Sequence, residues 1–133
     1  MFTLQQIKAV HATVKTGADF PRYIQGLKQL GLLHYEFMVT DGSAVYFGAD
    51  GYEVKREAGY APKAIARPAS TEALRQAIAA HQQGLSDFPT ICKQAAGAGV
   101  EKWKVDLDNM TCTYFDADGR IMLMEPIPQV EYA

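Results

Sequence analysis

The sequence predicts an α+β fold: two pseudo-symmetric α-α-β-β-β repeats sharing an antiparallel sheet, with the helices packed on one face as a two-layer sandwich. Three observations predict it. The chain matches itself at an offset of 68 residues (87 − 19), so that Asp19-Phe20-Pro21 returns as Asp87-Phe88-Pro89, Gly31 as Gly99, Tyr46-Phe47 as Tyr114-Phe115 and Ala49-Asp50-Gly51 as Ala117-Asp118-Gly119. Apolar residues at helical spacing give way to period-two alternation just after Gly31 and again after Gly99. Turn signals such as Asp41-Gly42, Asp50-Gly51 and Asp118-Gly119 then divide the alternating runs.

The first helix follows from its cap. Thr3 and Gln6 stand at capping-box spacing, Phe2 and Ile7 at the two hydrophobic-staple positions, and Leu4, Ile7, His11 and Val14 follow at helical spacing until Gly17. Asp19 and Asp87 are expected to cap the next helix of each repeat, with Pro21 and Pro89 in the first turn. Phe20, Tyr23, Ile24, Leu27 and Leu30 line the buried side of the first copy; Phe88, Ile91, Cys92, Ala95 and Ala98 line the second. Gly31 and Gly99 should end both helices in the left-handed conformation.

Tyr35, Phe37 and Val39 then alternate with His34, Glu36 and Met38, and Trp103, Val105 and Leu107 with Lys102, Lys104 and Asp106. Each run reads as a half-buried strand. Asp41-Gly42 predicts a two-residue hairpin, with Asn109-Met110 as its counterpart. Second strands are expected at 44–48 and 111–116, and third strands at 52–55 and 120–125. Ser70 or Thr71 caps the helix that opens the second repeat, with Leu74, Ile78 and Leu85 on its apolar side, and Pro126-Ile127-Pro128 breaks any further strand. The expected organisation is one domain over 1–133: repeat 1 at about 2–55, a linker at 56–69 with Gly59, Pro62 and Pro68, repeat 2 at 70–125 and a tail at 126–133.

Composition bounds the function. Within 133 residues, 48% hydrophobic and 21% charged with a net charge of −2, a core of ordinary size is expected and a general nucleic-acid binder is not. No apolar run approaches the length of a transmembrane helix, and no basic region followed by an apolar one marks a signal peptide, so a cytoplasmic protein without membrane partners is expected. Two cysteines make no disulfide framework.

Several segments carry a family likeness. Met1-Phe2-Thr3-Leu4-Gln5-Gln6-Ile7, Gly17-Ala18-Asp19-Phe20-Pro21, Val45-Tyr46-Phe47-Gly48, His81-Gln82-Gln83-Gly84, Gly99-Val100-Glu101-Lys102-Trp103 and Met110-Thr111-Cys112-Thr113-Tyr114 resemble the YdfO-like bacterial family over nearly the whole chain. That resemblance implies a small, often prophage-encoded protein with an α+β sandwich fold, carrying the label "phage envelope protein" or "unknown function". It implies no catalytic residues.

His11 and His81 are the candidate catalytic residues. Both fall late in the first helix of their repeats, on its apolar side, where two imidazoles flanking one cleft would suit proton transfer or metal binding. The bland alternative is a half-buried histidine whose ring complements a helix C-terminus. Cys92 and Cys112 read as buried small hydrophobes, for neither has ligand spacing. The acidic turns lack the downstream ligands of a calcium loop, and no phosphate-binding glycine loop, nucleophile elbow or HExxH is present. No metal and no cofactor are expected.

The sheet carries the stronger signal. Two-residue turns pair Phe37 with Tyr46, Glu36 with Phe47, Val105 with Tyr114 and Lys104 with Phe115, and continue to Phe47 with Val54 and Phe115 with Met122. Met38, Val45, Phe47, Val54, Phe115, Met122 and Met124 then share the face away from the helices, more apolar surface than a monomer usually leaves in water. The leading expectation is a non-enzymatic protein-interaction module acting as a homodimer or with a protein partner. The alternative is a small-molecule-binding protein or enzyme using a groove between the repeats near His11 and His81, lined by Tyr23, Tyr35 and Trp103. A longer turn or a bulge would flip the parity and send some of these side chains into the core.

Overall fold

The computed structural model describes residues 2–12 and 19–127. Helix α1, Leu4–His11, starts on the expected capping box: Thr3 Oγ1 accepts the Gln6 N–H at 3.2 Å and Gln6 Oε1 accepts the Thr3 N–H at 2.8 Å. Phe2 and Ile7 are buried beside it. Its expected continuation through Val14 to Gly17 lies outside the described residues, as does the tail from Pro128 onward.

Helices α2, Phe20–Leu30, and α4, Phe88–Ala98, occupy the same eleven positions at the sequence offset, and each ends on a left-handed glycine, Gly31 at φ +99° and Gly99 at φ +96°. Their N-termini differ. Asp87 is extended and accepts the Thr90 N–H at 2.9 Å, whereas Asp19 is itself right-handed helical and makes no capping bond with its carboxylate. Helix α3, Thr71–Gln82, is capped by Ser70, whose hydroxyl accepts the Ala73 N–H at 3.2 Å. Gly84, at φ +77°, turns the chain after α3, so Leu85 leaves the apolar side on which it was expected and is 74% exposed.

The six strands form one antiparallel sheet: β1 His34–Met38, β2 Ala44–Phe47, β3 Glu53–Arg56, β4 Val100–Asp106, β5 Thr111–Asp116 and β6 Ile121–Pro126, in the order β3-β2-β1-β4-β5-β6. Each half contributes a meander, and the first strand of each meets the other at the centre, with Phe37 opposite Trp103. Inward residues of the central strands and the buried faces of all four helices form one cluster, in which Ile7, Ile24, Leu27, Leu74 and Val105 are fully enclosed. The class is α+β, a layer of helices on an open antiparallel sheet.

Register departs from the expected pairing for identifiable reasons. The β1–β2 connection is five residues, 39–43, because the Asp41 carboxylate accepts the Ser43 N–H at 2.9 Å and Gly42 N–H bonds back to the Met38 carbonyl. Tyr35, not Phe37, therefore faces Tyr46, and Trp103, not Val105, faces Tyr114 across the similar 107–110 turn. These slips are of two residues, so the faces are kept. The β2–β3 connection is different. A 3-10 turn at Ala49–Gly51, with Asp50 at φ 59°, places Glu53 opposite Phe47 and Val54 opposite Tyr46. Val54 consequently turns toward the helices, contrary to expectation, and packs on the core. Between β5 and β6 a bulge sets Ile121 opposite Phe115, so Met122 is the extra residue and also packs on the core, again contrary to expectation.

Candidate functional site

Cross-strand pairing sets two rows of side chains on the helix side of the sheet. One runs Val54, Tyr46, Tyr35, Val105, Cys112, Glu125; the next runs Arg56, Ala44, Phe37, Trp103, Tyr114, Leu123. Above them α1 packs on α2 and α3 on α4. Between these two helix pairs and the sheet lies a cavity of about 450 Å³, walled by His11 of α1, Phe20 and Tyr23 of α2, Ile78 and His81 of α3, and Phe88 of α4.

Its lining is a continuous aromatic network. Phe37 and Trp103 stack at 4.5 Å between centroids and 23° between planes, and Phe88 stands edge-on to Phe37 at 5.4 Å. His11 touches both Phe88, at 5.7 Å, and Tyr23, at 5.4 Å, and the chain continues through Tyr35 to Tyr46. Such rings present broad apolar faces with edges of opposite polarity, suited to gripping another flat ring.

Polar groups sit at the margins. His11 Nδ1 lies 3.4 Å from Arg56 Nη1. Burial, and then the Arg56 charge, hold the His11 imidazole below its ordinary value of 6.5, so it stays neutral near pH 7. His81 Nδ1 is 3.1 Å from the Ser86 carbonyl and 3.2 Å from its hydroxyl; burial lowers this imidazole too, opposed by the Ser86 carbonyl and the Asp87 charge. From the 57–70 connection come Tyr60, which donates to the Val39 carbonyl at 2.6 Å, and Lys63, whose ammonium lies 4.7 Å from the Tyr60 ring centroid. Glu125 contributes a carboxylate from the opposite edge strand.

Burial also acts on several phenols and a thiol of the lining. Burial raises the Tyr23, Tyr35 and Tyr114 phenols well above their usual range and pushes the Cys112 thiol up to about 12. The cavity thus offers hydroxyl donors and aromatic faces rather than a thiolate or phenolate nucleophile. Among the described residues no three His, Cys, Asp or Glu side chains gather as a metal site.

His11, His81, Tyr23, Tyr35 and Trp103, expected to border one groove, all line this cavity. The expected interface residues are dispersed. Met38, Val45 and Phe47 share the outer face on β1 and β2, with Phe47 stacked on His34 at 4.4 Å, while Phe115 and Met124 share it on β5 and β6. The centre of that face carries charge: outward residues of β1 and β4 include Glu36, Lys102 and Lys104, with Lys102 bonded to Glu36 at 3.0 Å. Val54 and Met122 face the helix side.

A family model described as a protein of unknown function (DUF1398) matches residues 8–126. The chain belongs to the DUF1398 family. A comparison with curated proteins finds no match. The span matched in this DUF1398 chain takes in every strand and all of α2, α3 and α4, and so contains nearly the whole lining of the cavity. Among its described residues no helix is long and apolar enough to cross a membrane.

Proposed function

We propose that the protein binds a small molecule in the aromatic cavity between its helix pairs and its sheet. The cavity itself carries this reading: about 450 Å³, lined by aromatic rings and aliphatic side chains, with a few polar groups at its margins, as small-molecule sites are built. The phenols and the thiol, held protonated by burial, favour binding over nucleophilic chemistry. Trp103 is the sole tryptophan and lines the site, so its fluorescence reports occupancy directly. Native mass spectrometry of the protein purified from its host should show a retained adduct. Replacing Ala95, on the α4 wall, with Phe should expel that adduct and abolish ligand-dependent changes in Trp103 emission, while circular dichroism shows the helices intact. Retention of the adduct in the folded variant would reject the cavity as its site.

A second reading, a protein-interaction module acting as a homodimer or with a protein partner, is favoured by one observation: Ile121 and Met124 on edge strand β6 are 60% and 57% exposed beside Phe115. It ranks below the first because the charged strip on β1 and β4 divides the apolar face. Light scattering at high concentration tests it, with Met124→Glu expected to return any dimer to a monomer. The prophage origin implied by the YdfO-like resemblance accommodates both readings, and so does a cytoplasmic location.

A further inference from the structure

The charged groups around the cavity are unevenly placed, and this narrows the ligand class. Arg56 ends β3 in the same cross-sheet row as Phe37 and Trp103, separated from Phe37 by Ala44, and Arg56, Phe37 and Trp103 all line the cavity. Two strand spacings, about 10 Å, separate the backbones of Arg56 and Phe37. No carboxylate lies within ion-pair distance of Arg56 among the described residues; the ion pairs there join Glu53 to Lys55, Asp118 to Arg67 and Glu36 to Lys102. Its close polar neighbour is the His11 imidazole, itself a potential cation, at 3.4 Å. Lys63 lines the same cavity, with its ammonium over the Tyr60 ring and its charge also felt at the Cys92 thiol. A partly buried guanidinium beside an imidazole, with no acidic partner, is a receptor for a planar anion.

We propose that the cavity takes an aromatic carboxylate, its ring packed against Phe37, Trp103 and Phe88 and its carboxylate held by Arg56 and His11. The inference rests on the small-molecule reading above and adds the charge and shape of the occupant. It has a protonic consequence. Burial and the Arg56 charge both disfavour the His11 imidazolium. A carboxylate placed between them stabilises that cation, so binding draws a proton onto His11 and strengthens as pH falls from 8 toward 6. His11 is faced by Arg56 from β3, Tyr23 from α2 and Phe88 from α4; His81, Lys63 and Glu125 are the other charged or titratable groups lining the cavity that bear on the profile.

Calorimetric titration with 2-naphthoate, its neutral isostere 2-naphthamide and the cation 2-naphthylmethylammonium tests the proposal. The wild-type protein should bind naphthoate at least tenfold more tightly than either analogue, with net proton uptake near pH 7. Arg56→Gln should remove the preference and leave naphthamide binding unchanged; Arg56→Lys should retain part of it; His11→Gln should abolish the proton uptake. Should the amide or the ammonium bind as well as naphthoate in the wild-type protein, the anionic ligand class is wrong and the small-molecule reading stands. Should none of the three change the heat or the Trp103 emission, both are wrong.

Discussion

Gly31 and Gly99 share one backbone conformation and differ in what surrounds them. At Gly31, φ +99°, an added Cβ would meet nothing, whereas at Gly99, φ +96°, it would come within 2.6 Å of the Ala69 Cα and 3.0 Å of the Ala66 carbonyl. Gly31→Ala should therefore cost only the left-handed penalty, about 1 kcal/mol. Gly99→Ala should cost roughly twice that or more, because the 57–70 connection would have to move as well. Urea denaturation midpoints of the two variants check the difference. Acid should act on single side chains too. Asp41 and Asp106 sit in turns and Asp87 caps α4, each accepting backbone and side-chain hydrogen bonds, from Ser43, Asn109 and Thr90 respectively, that hold its carboxyl below the ordinary 3.8. Their contribution is complete above 3.8 and is lost as pH falls through the lower folded values. Asp87→Asn should make acid unfolding below pH 4 less steep, as followed by circular dichroism. At this scale the sequence was highly legible, since caps and left-handed glycines are local chemistry. Asp19 escaped because its backbone took a helical conformation that no property of the residue itself demands.

Elements were legible in kind and order but not in the lengths of their connections. Asp41-Gly42 signals a turn, yet the Asp41 carboxylate draws Ser43 into it and lengthens the loop to five residues. Because that slip is even, Phe47 and Val45 stay on the outer face; because the 48–52 connection and the β6 bulge change parity, Val54 and Met122 do not. Arg56 was missed for a different reason: the third strand was expected to end at Lys55, which left Arg56 in the linker, whereas β3 runs on through Arg56 and sets it on the same side as Val54. The faces can be told apart by mutation. Val54→Asp, placing a carboxylate against the core, should destabilise the protein by about 2 kcal/mol. Val45→Asp, opposite Glu36 and Lys55 on the outer face, should cost less than about 1 kcal/mol. Equal shifts in the two melting curves would contradict the observed register.

The whole molecule shows why part of the site could be read and part could not. His11, His81, Tyr23, Tyr35 and Trp103 were traceable because helical and strand periodicity set them all on the side shared by the two layers. Tyr60 and Lys63 were not, because they belong to the connection between halves, which has no periodicity; hydrogen bonds from Gly59, Tyr60 and Lys63 to the 39–41 turn, and from Ala66 and Ser70 to α4, bring it to the cavity. Stability of the empty cavity should fall between pH 7 and pH 5. His11 and His81 are both held below 6.5 in the fold, so their contribution is full above 6.5 and is lost as pH drops through their folded values. The double variant His11→Gln with His81→Gln should flatten melting temperature against pH across that range. The pairing of β1 with β4 carries a kinetic consequence. Each meander closes over short loops, but His34 meets Asp106 and Met38 meets Lys102 only after long stretches of chain have been brought together. Zipping of that central seam is then the late, slow event of folding, and the aromatic chamber straddles it. A bound guest would clasp the seam shut, acting as a brake on unfolding with little influence on how fast the chain first collapses.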